Sequence, residues 1–364
     1  MKSFYEPTAE HLTKLAVPWC CSYSGGKDST SLVTWIEWLR RSGRLEVDSP
    51  ALVQSDTTVE YAALGDIAAD LRGLLTASGW TCAVVVPKVS ERLYCRILGI
   101  GNTPIHPGIT SMRWCTRSTK IDPMDRWRRE YADGLTLTGL RLGESAMRDG
   151  KLKKRGCAAG GECGIPDQSE RTYSPLLNWT TCQVIDWLNG HLSSEIAGPM
   201  ADVFAVTRRL VQIYEVRIDR SGFEFAEPDV QAARFGCIGC PAICAERQAP
   251  ASVVSRNGPE SPLNELYDVW FEARRRQNRL WGKRCDKQFG PIKMGVRKRL
   301  FDRVLDIQRR SGVVLITPED EAFIRQCWAN KVYPRGWSEE DEATEPPSET
   351  PLFPARPRGA AATA

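Results

Sequence analysis

The stretch from Ser22 to Thr30, Ser-Tyr-Ser-Gly-Gly-Lys-Asp-Ser-Thr, carries the residue types needed to grip a phosphate chain. The paired glycines Gly25 and Gly26 let the backbone take positive φ and come close to a ligand. Lys27 adds a point charge, and the hydroxyls of Ser22, Ser24, Ser29 and Thr30 add donors. A helix starting here turns its first N–H groups and its dipole toward the same anion. The spacing is not that of the GxxxxGK[ST] loop, because Lys27 follows the glycines directly.

A second constellation is built on sulfur. Cys237, Cys240 and Cys244 stand in CxxCxxxC spacing, with Gly236, Gly239 and Pro241 breaking any packing periodicity. Short spacings let a turning backbone bring several thiolates to one metal centre. Four thiolates suit tetrahedral zinc and an iron–sulfur cluster alike. The run supplies three, so the fourth comes from elsewhere: Cys115 first, then Cys157 or Cys163. Cys20, Cys21, Cys82 and Cys182 read as small buried hydrophobes.

Two further places carry chemistry. Asp56 and Thr57 suit a contact to adenine or ribose, and equally a helix cap. Arg141 and Arg148 suit bidentate phosphate contacts, and equally ion pairs with Glu144 or Asp149.

Alternating strands and helices position these residues. The apolar run Leu15 to Cys21 reads as a buried strand ending at the glycines. Leu32, Trp35, Ile36 and Leu39 then mark a helix by their i, i+3, i+4, i+7 spacing. Further strands are expected over Ala51–Gln54, Cys82–Val86 and Leu135–Thr138, with helices ending near Ala77 and spanning Pro123–Tyr131. Such alternation indicates an α/β fold with a doubly wound parallel sheet, where ligands sit beyond the carboxyl ends of the strands. Asp56 and Thr57 fall at one such end. Residues 149–168, rich in Gly, Lys and Cys, read as a mobile substrate loop. After Tyr173–Trp179, Thr180 and Thr181 cap a helix through Leu188.

The pattern divides the chain into a nucleotide-binding domain over 1–195, a mostly helical region over 196–337, and a tail over 338–364. The helical region holds the cysteine run and helical patterns over 200–235, Leu263–Leu280, Met294–Arg309 and Pro318–Ala329. The tail is dominated by Pro, Glu, Ala and Thr, which predicts disorder.

Composition narrows the class. The chain has 364 residues, 42% hydrophobic and 26% charged, as soluble globular proteins are. It has no run of apolar residues long enough to span a membrane and no secretion signal at the N-terminus, which makes the cytoplasm the expected compartment. Thirteen cysteines in a reducing compartment point to metal or sulfur chemistry rather than a disulfide scaffold. With only three histidines, His11, His106 and His191, a histidine-rich metal site is not expected. The tail carries six acidic and two basic residues, a balance of −4, so the body before it carries about +8 to give the net +4. Basic residues cluster at Arg148–Arg155 and at Arg274–Arg299, where eleven occur with Trp281 and Phe289 among them. That balance fits a polyanionic partner, and equally a solvated face.

The loop Ser24–Ser29 resembles the PP-loop, SGGxDS, of ATP pyrophosphatases and adenylyl-sulfate reductases. Asp56-Thr57-Thr58-Val59-Glu60, Arg113-Trp114-Cys115-Thr116 with Lys120, Arg141…Glu144-Ser145…Arg148, and Ser174-Pro175-Leu176 before Trp179 and Thr180 follow in the order of the phosphoadenosine phosphosulfate reductase family. The resemblance covers about residues 15–245. Within that family the chain is most similar to the ATP pyrophosphatase subunit of DNA phosphorothioation systems, the DndC or SspD type.

The resemblance implies an ATP pyrophosphatase of the sulfurtransferase type. A DNA phosphate oxygen attacks the α-phosphorus of ATP, and pyrophosphate leaves with Mg²⁺. Sulfur from a cysteine desulfurase then displaces AMP and leaves a phosphorothioate. It further implies other phosphorothioation subunits as partners and a [4Fe–4S] cluster, with zinc as the fallback, on Cys115, Cys237, Cys240 and Cys244. Lys27, Asp28, Ser29, Arg141 and Arg148 are the implied catalytic residues. Ser22, Ser24, Gly25, Gly26, Lys27, Asp28, Ser29, Thr30, Asp56 and Thr57 are the implied nucleotide contacts.

Two rivals share the loop. A phosphoadenylyl-sulfate or adenylyl-sulfate reductase needs a nucleophilic cysteine near a mobile C-terminus, whereas the last cysteine here is Cys327, in Arg-Gln-Cys-Trp-Ala. A tRNA thiolation enzyme uses the same adenylation on a base oxygen.

Overall fold

The computed structural model describes Leu12 and residues 18–105, 114–131, 134–142, 172–219, 237–240, 262–281 and 289–343. They form two compact units, each discontinuous in sequence.

The first unit takes the described residues up to Val86 and those from Lys120 to Asp219. It is built as β1 (Trp19–Tyr23), α1 (Lys27–Arg41), β2 (Ala51–Ser55), α2 (Ala62–Ala77) and β3 (Thr81–Val85). Then come α3 (Asp122–Tyr131), β4 (Leu135–Leu137), β5 (Thr172–Tyr173), α4 (Thr181–Asn189) and α5 (Ala201–Asp219). The five strands make one parallel sheet in the order β3-β2-β1-β4-β5, with Cys21 of β1 opposite Leu52 on one side and Leu137 on the other. The chain runs outward from β1 to β3, then crosses back to β4 on β1's other flank. This is an α/β fold of the doubly wound kind, and β1 lies where the winding reverses.

Strand alternation assigns the two sheet faces. Cys21, Tyr23, Leu52 and Leu137 pack with α1, α2, α4 and α5, while Cys20, Ala51 and Val53 pack with Met124 and Trp127 of α3. The first face centres on tryptophans: Trp187 lies edge-on to Trp38, Trp179 and Phe204 at 5.7–6.0 Å. Such pairs add about 0.5–1.5 kcal/mol each beyond the area they bury.

Helix α1 departs from the amphipathic pattern, because every residue from Ser29 to Leu39 is buried. Two of its polar members, Thr34 and Glu37, are satisfied inside, while the Thr30 and Ser31 hydroxyls are buried without a hydrogen-bond partner among the described residues. The Thr34 hydroxyl donates to the Thr30 carbonyl at 2.8 Å and accepts from Trp187 Nε1 at 2.9 Å. Glu37 accepts from Trp80 Nε1 at 2.7 Å and pairs with Arg40 and Arg41.

The first unit extends past residue 195. The stripe Val206, Leu210, Ile213 and Tyr214 of α5 closes on Leu64 and Ile67 of α2, which ties α5 to the sheet rather than to the later helices.

The second unit takes the described residues of 87–119, 237–240 and 262–343. It includes a π-helical turn over Cys95–Ile100, α6 (Leu266–Arg274), the hairpin β6 (Arg279–Trp281) and β7 (Phe289–Ile292), α7 (Met294–Ser311) and α8 (Pro318–Ala329). The helix expected over Leu263–Leu280 is therefore shorter. It ends at Arg274, and Asn278 folds back on the Glu272 carbonyl at 2.8 Å before the hairpin starts.

The start of the tail is ordered, against expectation. Glu339–Ala343 form a 3₁₀ turn in which Glu342 accepts from the Met294 N–H at 2.5 Å and from the Tyr333 hydroxyl at 3.0 Å. A carboxylate at the first N–H of α7 is favoured by the helix dipole, which explains the order despite the composition. Among the described residues no helix is long and apolar enough to cross a membrane.

Candidate anion site at the carboxyl end of β1

The chain leaves β1 at Tyr23, turns through Ser24, Gly25 and Gly26, and enters α1 at Lys27. Gly25 takes φ +71°, a left-handed conformation that L side chains rarely adopt. Gly26 does not share it: it is the extended N-cap residue at φ −84°. Ser29 closes the turn. Its Oγ accepts from the Ser24 N–H at 3.2 Å, donates to the Gly26 carbonyl at 3.1 Å and lies 3.0 Å from Ser24 Oγ. Ser24 itself is exposed. The opening N–H groups of α1 have no acceptor four residues back, so the turn and the helix dipole present a donor cradle.

Three charges stand at this helix start. Asp28 accepts from Lys27 Nζ at 2.8 Å through one oxygen and from Arg141 Nε at 2.6 Å through the other. Lys27 and Arg141 are buried, and Asp28 is nearly so. Two cations on one carboxylate leave a net positive charge beneath the cradle, which favours an anion there.

Arg141 is held otherwise than sequence proximity suggests. Besides Asp28 it donates to the Trp179 carbonyl at 2.9 Å and to Thr181 Oγ1 at 3.4 Å, and it is 2% exposed. Its guanidinium is thereby aimed into the fold, fixing Asp28, rather than outward as a phosphate clamp. Glu144, Asp149 and Arg148 lie outside the described residues.

The other expected nucleotide contacts divide. Ser22 sits within β1 opposite Val53, upstream of the turn. Thr30 is fully buried beside the Tyr23 phenol, so its hydroxyl belongs to the interior. Asp56 and Thr57 do lie at the carboxyl end of β2, the strand next to β1. Asp56 caps a turn there by accepting from the Thr58 N–H at 2.7 Å, and Thr58 takes φ +65°, a strained value for a β-branched residue. Glu60 follows, half-buried, 3.4 Å from Thr57 Oγ1 and 3.8 Å from Lys120 Nζ. Burial holds its carboxyl above the usual range, against the pull of Lys120 and with a push from Asp56.

Two residues that sequence reasoning missed complete the helix start. At Gly139, just after β4, a Cβ would lie 2.7 Å from the Asp28 carbonyl carbon and oxygen. The glycine is what lets the β4 exit touch the first turn of α1. Tyr214 of α5 brings its hydroxyl to 3.4 Å from the Lys27 backbone nitrogen. A glycine at a strand end is a faint signal. For Tyr214 the sequence offers none.

Of the cysteines expected to bind metal, Cys115, Cys237 and Cys240 lie in the second unit. Cys237 and Cys240 flank a tight turn, with the Cys240 N–H on the Cys237 carbonyl at 3.0 Å, and both are half-buried. Trp270 of α6 pins that turn by donating to the Gly239 carbonyl at 2.6 Å. Cys115 is half-buried in a helical turn, Trp114–Thr116. Cys244, Cys157 and Cys163 lie outside the described residues. Two half-buried thiols on one reverse turn are a donor pair that fits zinc or an iron–sulfur cluster, while no group of three ligands forms among the described residues.

Part of the basic run Arg274–Arg299 is engaged inside this unit. Arg274 donates to the Ile105 carbonyl, Arg279 to the Gly290 carbonyl, and Arg299 pairs with Glu272. Arg297 is fully buried on the carbonyls of Ile292, Gly99 and Val332. Burial alone pushes Arg274 and Arg279 down to about 10. Among the described members of the run, Arg274, Arg279 and Arg297 thus turn their charge inward, while Arg275, Lys298 and Arg299 are exposed, and Lys283, Arg284 and Lys287 lie outside the described residues. The other basic stretch, Lys151 to Arg155 with Arg148, lies outside the described residues.

The chain matches no protein-family model, and no curated protein shows significant similarity to it.

Proposed function

We propose that the first unit binds the triphosphate of ATP on the Ser24–Ser29 turn and passes AMP to an oxygen nucleophile, releasing pyrophosphate. The observation that carries the reading is the placement of the turn. It joins the carboxyl end of β1 to a helix N-terminus at the reversal of the sheet, with Lys27 and Arg141 sharing the single carboxylate of Asp28. Ligands of doubly wound sheets occupy that crevice, and polyphosphates suit a net positive helix start.

The residues divide the work on this reading. The turn's N–H groups and the Lys27 ammonium stabilise charge that grows on the leaving pyrophosphate. Lys27 exchanges Asp28 for a phosphate oxygen, while Arg141 retains Asp28 and keeps it from following. Ser29 holds the turn in shape. Asp56, Thr57 and Glu60, on the neighbouring strand end, stand on the nucleoside side. Mg²⁺ accompanies the triphosphate and offsets its charge.

The acceptor we favour is a DNA backbone phosphate, whose activated phosphorus is then attacked by a persulfide from a cysteine desulfurase with loss of AMP, a second thiol cleaving the S–S bond to leave the phosphorothioate and a disulfide, in concert with other phosphorothioation subunits. The order of motifs along the chain supports that choice. Cys237 and Cys240, with Cys115 and Cys244, would hold a [4Fe–4S] cluster, or zinc in its place. A cluster would supply electron or sulfur chemistry to the transfer.

Purified protein with Mg²⁺ and ATP is expected to release pyrophosphate, and Lys27→Ala or Ser29→Ala to abolish release. Reduction of activated sulfate by thioredoxin with ATP left untouched would replace this reading by the reductase one. Mass spectrometry of host DNA for phosphorothioate dinucleotides, with and without the protein, separates DNA from tRNA as acceptor.

A further inference from the structure

One polar group reaches the start of α1 from far along the chain. Tyr214, 187 residues after Lys27, sets its hydroxyl 3.4 Å from the Lys27 backbone nitrogen. Its ring centroid lies 5.8 Å from Lys27 Nζ, and a Cβ placed on Gly26 would be 3.7 Å from its hydroxyl. The side chain is 5% exposed, fixed by Ile67 and Leu210. A phenol is thus held against the two kinds of group, backbone N–H and ammonium, that an anion would seek.

The geometry also says how firmly it is held. A hydrogen bond of 3.4 Å lies beyond the usual N–H···O range, so the phenol oxygen is a weak acceptor for that N–H. A phosphate oxygen is a stronger one, because its charge assists the bond. A phenol can also donate, which the backbone N–H cannot reverse into. When an oxyanion takes the Lys27 N–H, the adjacent hydroxyl has a new acceptor within reach.

We propose that Tyr214 contacts the polyphosphate directly. Its hydroxyl covers the Lys27 N–H while the turn is empty, then donates to the phosphate oxygen that takes its place. The ring meanwhile keeps the ammonium of Lys27 near the turn by cation–π attraction. The assignment rests on the reading of the turn as a polyphosphate site and adds to it a neutral donor from α5.

Tyr214→Phe isolates the hydroxyl, because the ring, its packing and the cation–π contact remain. Calorimetric titration of the full-length protein with inorganic pyrophosphate, MgATP and adenosine reads the effect. A hydrogen bond to a charged group is worth about tenfold or more in affinity, so the variant should bind pyrophosphate and MgATP about tenfold more weakly. Adenosine binding should not change, whereas a merely structural role would weaken all three together. Unchanged or tighter pyrophosphate binding overturns the role of Tyr214 and leaves the polyphosphate reading standing. A wild-type protein that binds neither pyrophosphate nor MgATP overturns both. The near-ultraviolet tyrosine band gives a second measurement: pyrophosphate should perturb it in the wild type and not in Tyr214→Phe. An identical perturbation in both proteins counts against the assignment.

Discussion

Replacing Gly139 by alanine tests the geometry of the helix start most directly. The added Cβ would sit 2.7 Å from the carbonyl carbon and oxygen of Asp28 and 2.8 Å from the Ser29 nitrogen. Optimal carbon contacts are about 3.5–4.0 Å, so the β4 exit or the first turn of α1 must give way by roughly 0.7 Å or more. The obstacle is backbone, and α1 is buried from Ser29 to Leu39, which leaves the turn little room to retreat. Overpacking of this kind costs about 1–3 kcal/mol of stability. The same displacement moves the Lys27–Ser29 peptides, and a shift of about 1 Å at reacting groups costs on the order of a hundredfold in rate. Denaturant unfolding should therefore show a lower midpoint at unchanged slope, and pyrophosphate release should fall further than stability alone explains. Gly73→Ala is the control. It lies in α2 with nothing within 4 Å of a new Cβ, and it should stabilise by about 0.5–1 kcal/mol. An unfolding midpoint for Gly139→Ala equal to that of the wild type would mean that the strand exit and the helix do not touch as described.

Other expectations follow from the same unit. Arg141→Met removes three hydrogen bonds and takes from Asp28 one of the two cations at its carboxylate, so it should cost about 3–5 kcal/mol in unfolding experiments. A loss under 1 kcal/mol would show that the guanidinium is not the buried strut inferred here. Burial pushes the phenols of Tyr23 and Tyr173 up to about 12 each. A raised value means the folded state holds the proton more tightly. The associated stability is thus complete below about pH 10 and disappears as pH climbs through 12, on the order of 2–3 kcal/mol per residue. Tyr23→Phe should flatten the alkaline limb of the stability profile, and an unaltered limb would refute its part in it.

Helix starts in both units are written in local signals. Thr180 with Gln183, and Thr317 with Pro318 and Asp320, form capping boxes whose residues mark helix starts to within one position. The glycine–lysine turn is equally visible, because its requirement is local. What escaped is nonlocal. Arg141 has acidic residues close by in sequence, yet its partner Asp28 is 113 residues away. Tyr214 lies on an ordinary helical stripe, and only the packing of α5 on α2 carries it to the turn. The hairpin of β6 and β7 was hidden for a different reason. Arg279-Leu280-Trp281 is too short to break the helical period that precedes it. Ser338–Ala343 read as disordered because composition measures the lack of core-forming residues and is blind to a carboxylate that finds a helix end.

The sheathing of α1 by tryptophans has a consequence for where variation can act. A helix buried without a break from Ser29 to Leu39 has little room to tilt toward a bulkier or differently charged ligand. Any retuning of selectivity must come from segments that approach the turn from outside, while changes as remote as Trp187 would be felt at Lys27 through the rigid rod between them.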